Sequence, residues 1–141
     1  MTQPVVLDTN ILVSALLTPD GNSAQILGMV LKGRLQIGYD SRIMAEYHNV
    51  LARPKFHFDL QKTDRLLDIL LGKGLSVIAE RSDIVFYDET DRKFYEVALE
   101  LNACLITGNL KHYPQAAFIK TPSEYLKSLA LKTTAAIHSA P

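Results

Sequence analysis

The stretch Pro4-Val5-Val6-Leu7-Asp8-Thr9-Asn10-Ile11-Leu12-Val13-Ser14-Ala15 decides the fold. Val5, Val6 and Leu7 form a short apolar run rich in β-branched side chains, the pattern of a strand buried on both faces. From Asn10 onward, Ile11, Leu12, Ala15 and Leu16 recur at helical spacing, so a helix follows at once. Asp8 therefore stands at the carboxyl end of a buried strand. In open α/β sheets ligands bind in the crevice beyond those ends, which directs the Asp8 carboxylate to a site rather than to bulk water.

The same alternation continues along the chain. Ser23 is placed to cap a helix that Gly33 ends, and residues 35–39 read as a second strand. Asp40 or Ser41 then caps a third helix with Ile43, Tyr47, Val50 and Leu51 inward, and Pro54 marks its stop. Glu46 falls on that apolar face. Thr63 caps a fourth helix carrying Leu66, Leu67, Leu70 and Leu71; Gly72 and Gly74 close it, and residues 75–79 read as a third strand. A polar loop carries Asp88, and Asp91 opens a fifth helix on the face of Phe94, Val97, Ala98 and Leu101. Residues 104–107 form a fourth strand ending in Thr107-Gly108-Asn109, and residues 117–119 a short fifth. Thr121-Pro122-Ser123-Glu124 combines an N-cap, a first-turn proline and a capping-box acid. The expectation is a single α/β domain over residues 1–132, with a parallel central sheet of about five strands and helices on both faces, followed by a tail over 133–141.

Composition narrows the class of protein. A chain of 141 residues, 48% hydrophobic and 21% charged, matches one globular domain with its own core. The single Cys104 has no partner for an internal disulfide, the start of the chain lacks a basic region ahead of an apolar segment, and no apolar run approaches the roughly 20 residues of a membrane span. These features predict a cytoplasmic protein with no membrane association. Fifteen Lys and Arg balance fifteen Asp and Glu, which excludes a global basic field of the kind that drives non-specific nucleic-acid binding. The distribution is uneven: Asp88, Glu89, Asp91, Glu96 and Glu100 crowd one segment, whereas Glu124 is the lone acid after residue 100.

Asp8 at a strand end, Glu46 on an apolar helix face and Asp91 at an inward helix start converge on one chemistry. Carboxylates sharing a pocket repel one another and raise their pKa values unless a cation joins them. Oxygen donors suit hard Mg²⁺ or Mn²⁺, and no His or Cys set has zinc spacing. Such ions can activate water against a phosphodiester. Asp88 is a further candidate ligand and also fits an N-cap. Thr9 and Asn10 read as caps of the first helix that orient Asp8. Thr107 and Asn109 read as a supporting turn, with Asn109 suited to a left-handed conformation. His112 beside Lys111 is placed to meet a phosphate or to face solvent.

The segments 6–15, 41–56 with Glu46, 88–98 and 105–109 resemble, in that order, the PIN-domain family, in particular toxin components of toxin–antitoxin pairs. The resemblance covers about residues 5–129. It implies a Mg²⁺- or Mn²⁺-dependent endoribonuclease on a compact α/β sandwich, with Asp8, Glu46 and Asp91 as the acidic metal-binding and catalytic set. It also implies an antitoxin protein partner and a homodimer. One position departs from the pattern: Asn109 stands where many relatives carry Asp, which removes one metal-binding charge and implies a one-metal site or weak activity. Two other readings stay open. One is a catalytically weak PIN domain that binds RNA or protein; the other is phosphotransfer through Asp8 as nucleophile, which Asn10 disfavours by standing where such phosphatases carry a second Asp.

Overall fold

A computed structural model describes the backbone of residues 3–139 and the side chains of residues 4–132. Its strands are β1 (Gln3–Leu7), β2 (Leu35–Tyr39), β3 (Leu75–Ser76), β4 (Cys104–Ile106) and β5 (Ile119–Lys120). They form one parallel sheet in the order β3-β2-β1-β4-β5. β1 lies at the centre, in register with β2 through Val5↔Ile37 and with β4 through Leu7↔Ile106. Neighbouring side chains of a strand point to opposite faces, yet Val5, Val6 and Leu7 are all fully buried, so helices cover β1 on both sides. Each of these side chains contributes roughly 1.5–3 kcal/mol by leaving water.

The helices are α1 (Thr9–Leu17), α2 (Asn22–Leu31), α3 (Ser41–Leu51), α4 (Leu60–Gly72), α5 (Arg92–Leu101) and α6 (Pro122–Ser139). Ile43, Tyr47, Val50 and Leu51 form the buried stripe of α3, and Phe94, Val97 and Ala98 that of α5, as their spacing predicts. Tyr47, fully buried, donates its hydroxyl to the Leu7 carbonyl at 2.5 Å and so locks α3 against the end of β1. Gly74 meets a steric need: a Cβ there would stand 2.7 Å from the Ile37 carbonyl oxygen, so only glycine lets the chain enter β3 so close to β2. Asn102 ends α5 in the left-handed conformation at φ 51°.

Several boundaries differ from the sequence reading. The cap before α4 is Asp59, which accepts from the Gln61 amide at 3.0 Å; Thr63 is buried one turn inside and donates to the Leu60 carbonyl. Gly21 precedes α2, with Ser23 buried in its first turn. β3 is short: the Val77 amide still donates to the Tyr39 carbonyl at 3.0 Å, and farther on the segment is held at Ser82 and Ile84 by the side chains of Glu96 and Arg92. β5 lies two residues later than expected, at Ile119–Lys120. Thr121 and Glu124 do form the reciprocal capping box, at 2.9 and 3.2 Å. α6 is helical as far as Ser139, so the backbone of the expected tail continues that helix over residues 133–139; the side chains from 133 on and residues 140–141 lie outside the described residues. No helix among the described residues is long and apolar enough to cross a membrane.

Candidate active site

The strand order reverses at β1, whose neighbours β2 and β4 lie on opposite sides, and ligands of open parallel sheets bind at such a switch point. Asp8 follows β1 and Thr107 follows β4, so the switch point sets them side by side. Asp8 is 7% exposed. Its Oδ2 accepts from Thr107 Oγ1 and from the Tyr113 hydroxyl, both at 2.9 Å, and its Oδ1 accepts from the Asn10 amide at 3.4 Å. Burial pushes the Asp8 carboxyl above the usual range, these hydrogen bonds oppose the rise, and the charge of Glu46 adds to it.

Asp8 itself is thus the cap of α1, a role the sequence assigns to Thr9 and Asn10. Thr9 instead donates its hydroxyl to Glu46 Oε2, and Asn10 Oδ1 accepts from the Gly108 amide at 3.2 Å, tying the start of α1 to the turn after β4. In that turn Thr107 Oγ1 also accepts from the Asn109 amide at 3.0 Å. Asn109 sits at φ −128° and ψ 65°, outside the left-handed region, and its side chain is exposed. The left-handed conformation expected for it is not adopted.

Glu46 extends from α3 toward the same region, but both of its oxygens are engaged. Lys93 Nζ lies 2.8 Å from Oε1 and Thr9 holds Oε2. Lys93 is itself confined: its ammonium also donates to the Thr90 carbonyl and rests 5.0 Å from the centre of the Phe94 ring. Asp91 ends a 3₁₀ turn (Glu89–Asp91) before α5. Its Oδ2 is buried without a hydrogen bond among the described residues, with His112 Nδ1 3.2 Å away. The Asp91 carboxyl is pushed up to about 6, first by burial and then by the charges of Asp8 and Asp88, against the influence of His112.

Asp88 is the N-cap its sequence suggested. It accepts from the Thr90 amide at 3.0 Å and from the Thr90 hydroxyl at 2.8 Å, which lower its pKa. Taken together, Asp8, Thr9, Asn10, Glu46, Asp91, Thr107 and His112 gather at one end of the sheet. Asn109 stands at the rim, and Asp88 turns back on its own 3₁₀ turn. Among the described residues, no three acids, imidazoles or thiols lie close enough to enclose one ion.

Tyr113 and Lys93 were not foreseen. Tyr113 follows a polar turn with no periodicity to mark it, yet it is 7% exposed and its hydroxyl faces Asp8. Burial and the Asp8 and Asp91 charges keep that phenol protonated, as a fixed donor. Lys93 could have been suspected from its place two residues after Asp91. A second buried network holds the segment between β3 and α5. Arg92 donates to the Ser82 and Ile84 carbonyls, grips both oxygens of Glu89 at 2.7 and 2.9 Å, and lies 5.0 Å from the Phe86 ring. Phe86 in turn packs edge-on against Tyr113.

The acid set fits a divalent cation in its chemistry. All candidate ligand atoms on the acids are oxygens, two of the acids are held above their usual pKa by burial and mutual charge, and the buried Asp91 Oδ2 makes no regular hydrogen bond, with only His112 Nδ1 near it at 3.2 Å. Glu46 fits less well, being neutralised by Lys93.

Comparison with known proteins gives three findings. The profile of the PIN domain family matches residues 4–111. An uncharacterized protein of Methanocaldococcus jannaschii is 36% identical over 109 residues, which cover 74% of this chain and 70% of that protein. Among solved structures, the crystal structure of VapBC2 from Rickettsia felis bound to a DNA fragment from their promoter has a similar fold. It aligns with a TM-score of 0.53 and 21% identity, covering 77% of this chain and 90% of that one.

Proposed function

From the chain's membership of the PIN domain family, we propose that it is a metal-dependent endoribonuclease that uses Asp8 and Asp91 to hold one Mg²⁺ or Mn²⁺. The observation that carries this reading is the buried Asp91 Oδ2, which has His112 Nδ1 at 3.2 Å but no regular hydrogen bond, beside an Asp8 whose orientation is fixed by Thr107 and Tyr113. Two carboxylates are enough, because Mg²⁺ commonly binds one or two of them and completes its shell with waters and substrate phosphates. Bound there, the ion supplies Lewis acidity to an attacking water and to the phosphodiester.

The chain's own residues do the rest. Water loses a proton to solvent as its oxygen bonds to phosphorus, the P–O ester bond breaks, and the leaving oxygen takes up a proton. Thr107 and Tyr113 keep the Asp8 oxygens aimed, and Asn10 joins that strand end to the Gly108 turn. Glu46 with Lys93 forms a fixed ion pair at the edge of the set, placing an ammonium where phosphate charge accumulates. His112, 3.2 Å from Asp91, is positioned to donate a proton on the leaving-group side.

The likeness to the VapBC2 complex supports the toxin role in a toxin–antitoxin pair, with an antitoxin protein as partner; a homodimer is what the family resemblance implies. One observation favours a second reading, a weakly catalytic module that binds RNA or protein: the neutral, exposed Asn109. Incubating the protein with single-stranded RNA and Mn²⁺ separates the two. Cleavage abolished by Asp8→Asn and by Asp91→Asn is expected; retained Mn²⁺ binding with no cleavage of any RNA pool moves the assignment to the binding module.

A further inference from the structure

A groove of about 690 Å³ runs between α3 and the amino-terminal half of α5, within the roughly 300–1,000 Å³ of sites that take a ligand. Arg42, Glu46 and Asn49 line it from one face of α3, and Arg53 continues that wall just past the helix. Arg81 joins from the segment after β3, and Lys93 from α5. Because Glu46 and Lys93 belong to both, the groove is continuous with the acid site.

Its charges do not cancel. Three carboxylates line it, and each is matched: Glu46 by Lys93 at 2.8 Å, Glu96 by Arg42 at 2.8 Å, and Glu89 by Arg92 at 2.7 Å. Arg53 and Arg81 are left over. Both side chains are exposed, and neither makes a side-chain hydrogen bond or ion pair within contact distance among the described residues, although Arg81 lies near enough to Glu89 to lower its pKa and borders a cleft shared with Glu80, Glu96 and Glu100. In a chain with fifteen cationic and fifteen anionic side chains, this is a local surplus beside the reacting centre. The apolar lining is only Ala45, Val50 and Ala79. A protein partner anchors itself with aromatic or aliphatic side chains in apolar pockets, which this groove does not offer. Guanidinium groups in a groove lined by so few wholly apolar side chains suit phosphates.

We propose that the groove is a track for the backbone of single-stranded RNA on one side of the scissile bond, with Arg53 and Arg81 each neutralising one phosphate. The inference rests on the ribonuclease reading. Recognition here is independent of base sequence, since the contacts reach phosphate alone.

The test is binding of a labelled mixed-sequence oligoribonucleotide in EDTA, which prevents metal-dependent cleavage, measured against salt concentration. Each neutralised phosphate of a single strand contributes about −0.7 to the slope of log K against log salt. Arg53→Ala and Arg81→Ala are expected each to make the slope shallower by about 0.7, whereas Arg34→Ala, outside the groove, leaves it unchanged. Equal slopes in wild type and both groove variants overturn the inference, and if wild type still cleaves RNA with Mn²⁺ the ribonuclease reading survives that result. Binding of poly-glutamate that depends on Arg53 and Arg81, without RNA binding, overturns it in favour of an acidic protein segment.

Discussion

Thr107 donates a hydrogen bond to Asp8 across 99 residues of chain, Oγ1 to Oδ2 at 2.9 Å, and this bond joins the carboxyl ends of β4 and β1 at the point where the sheet changes direction. A fully buried hydroxyl fixed by the strand end beneath it can hold a carboxylate in one orientation. Sheet topology is thereby converted into the aim of one oxygen atom.

Tyr113→Phe removes the second donor to that oxygen and leaves the ring packing in place. A hydrogen bond to a charged group contributes about 1.5–3 kcal/mol. Urea denaturation should show a loss of that order, with weaker Mn²⁺ binding. Unchanged stability and affinity would mean that Tyr113 only packs.

Lys93→Gln releases Glu46 and adds one negative charge to the site. Mn²⁺ affinity, read by calorimetry, should rise by about tenfold, on the order of 1.4 kcal/mol. An affinity equal to that of wild type contradicts the view that Lys93 neutralises Glu46 and so withholds it from a cation.

The pH dependence follows from Asp91. Its folded pKa of about 6 exceeds the ordinary 3.8, so the folded state holds a proton that the unfolded chain releases. Stability of the metal-free protein is therefore greatest below about pH 4 on this account and falls as pH rises to about 6. Asp91→Asn should flatten this window and stabilise the metal-free protein near neutrality by about 1–3 kcal/mol. Metal binding runs the other way and weakens as pH falls through 6. Denaturation midpoints of wild type and variant between pH 4 and 7 provide the check.

Arg92→Lys keeps the charge but cannot make the fork to Glu89 while also reaching the Ser82 and Ile84 carbonyls. The expected outcome is lower stability, with faster amide exchange confined to residues 82–91. Exchange rates matching wild type would show that the segment is held by Phe86 alone.

Much of this architecture was legible from periodicity. The buried run of β1, the stripes of α3 and α5, and the capping box at α6 carry local signals, and the structure places them where those signals stand. Asp8, Glu46 and Asp91 stand out in the sequence because a charge on an apolar face or at a buried strand end conflicts with its surroundings. What stayed hidden depends on contacts between distant segments. Thr9 looked like a cap because nothing local reveals that Glu46, 37 residues on, takes its hydroxyl. Tyr113 gave no pattern, since its role exists only once β4 lies beside β1. The short β3 and the side-chain anchoring after it were illegible for the same reason: Arg92 holds that segment from the far side of the loop.

The central claim is that Asp8 and Asp91 together hold a divalent cation, and calorimetric titration of Mn²⁺ into the metal-free protein tests it most directly. The account predicts one ion per chain, with binding lost in Asp8→Asn while circular dichroism shows that variant still folded. No binding to wild type, or equal binding by the variant, would contradict it and leave the carboxylates as structural charges on a PIN fold.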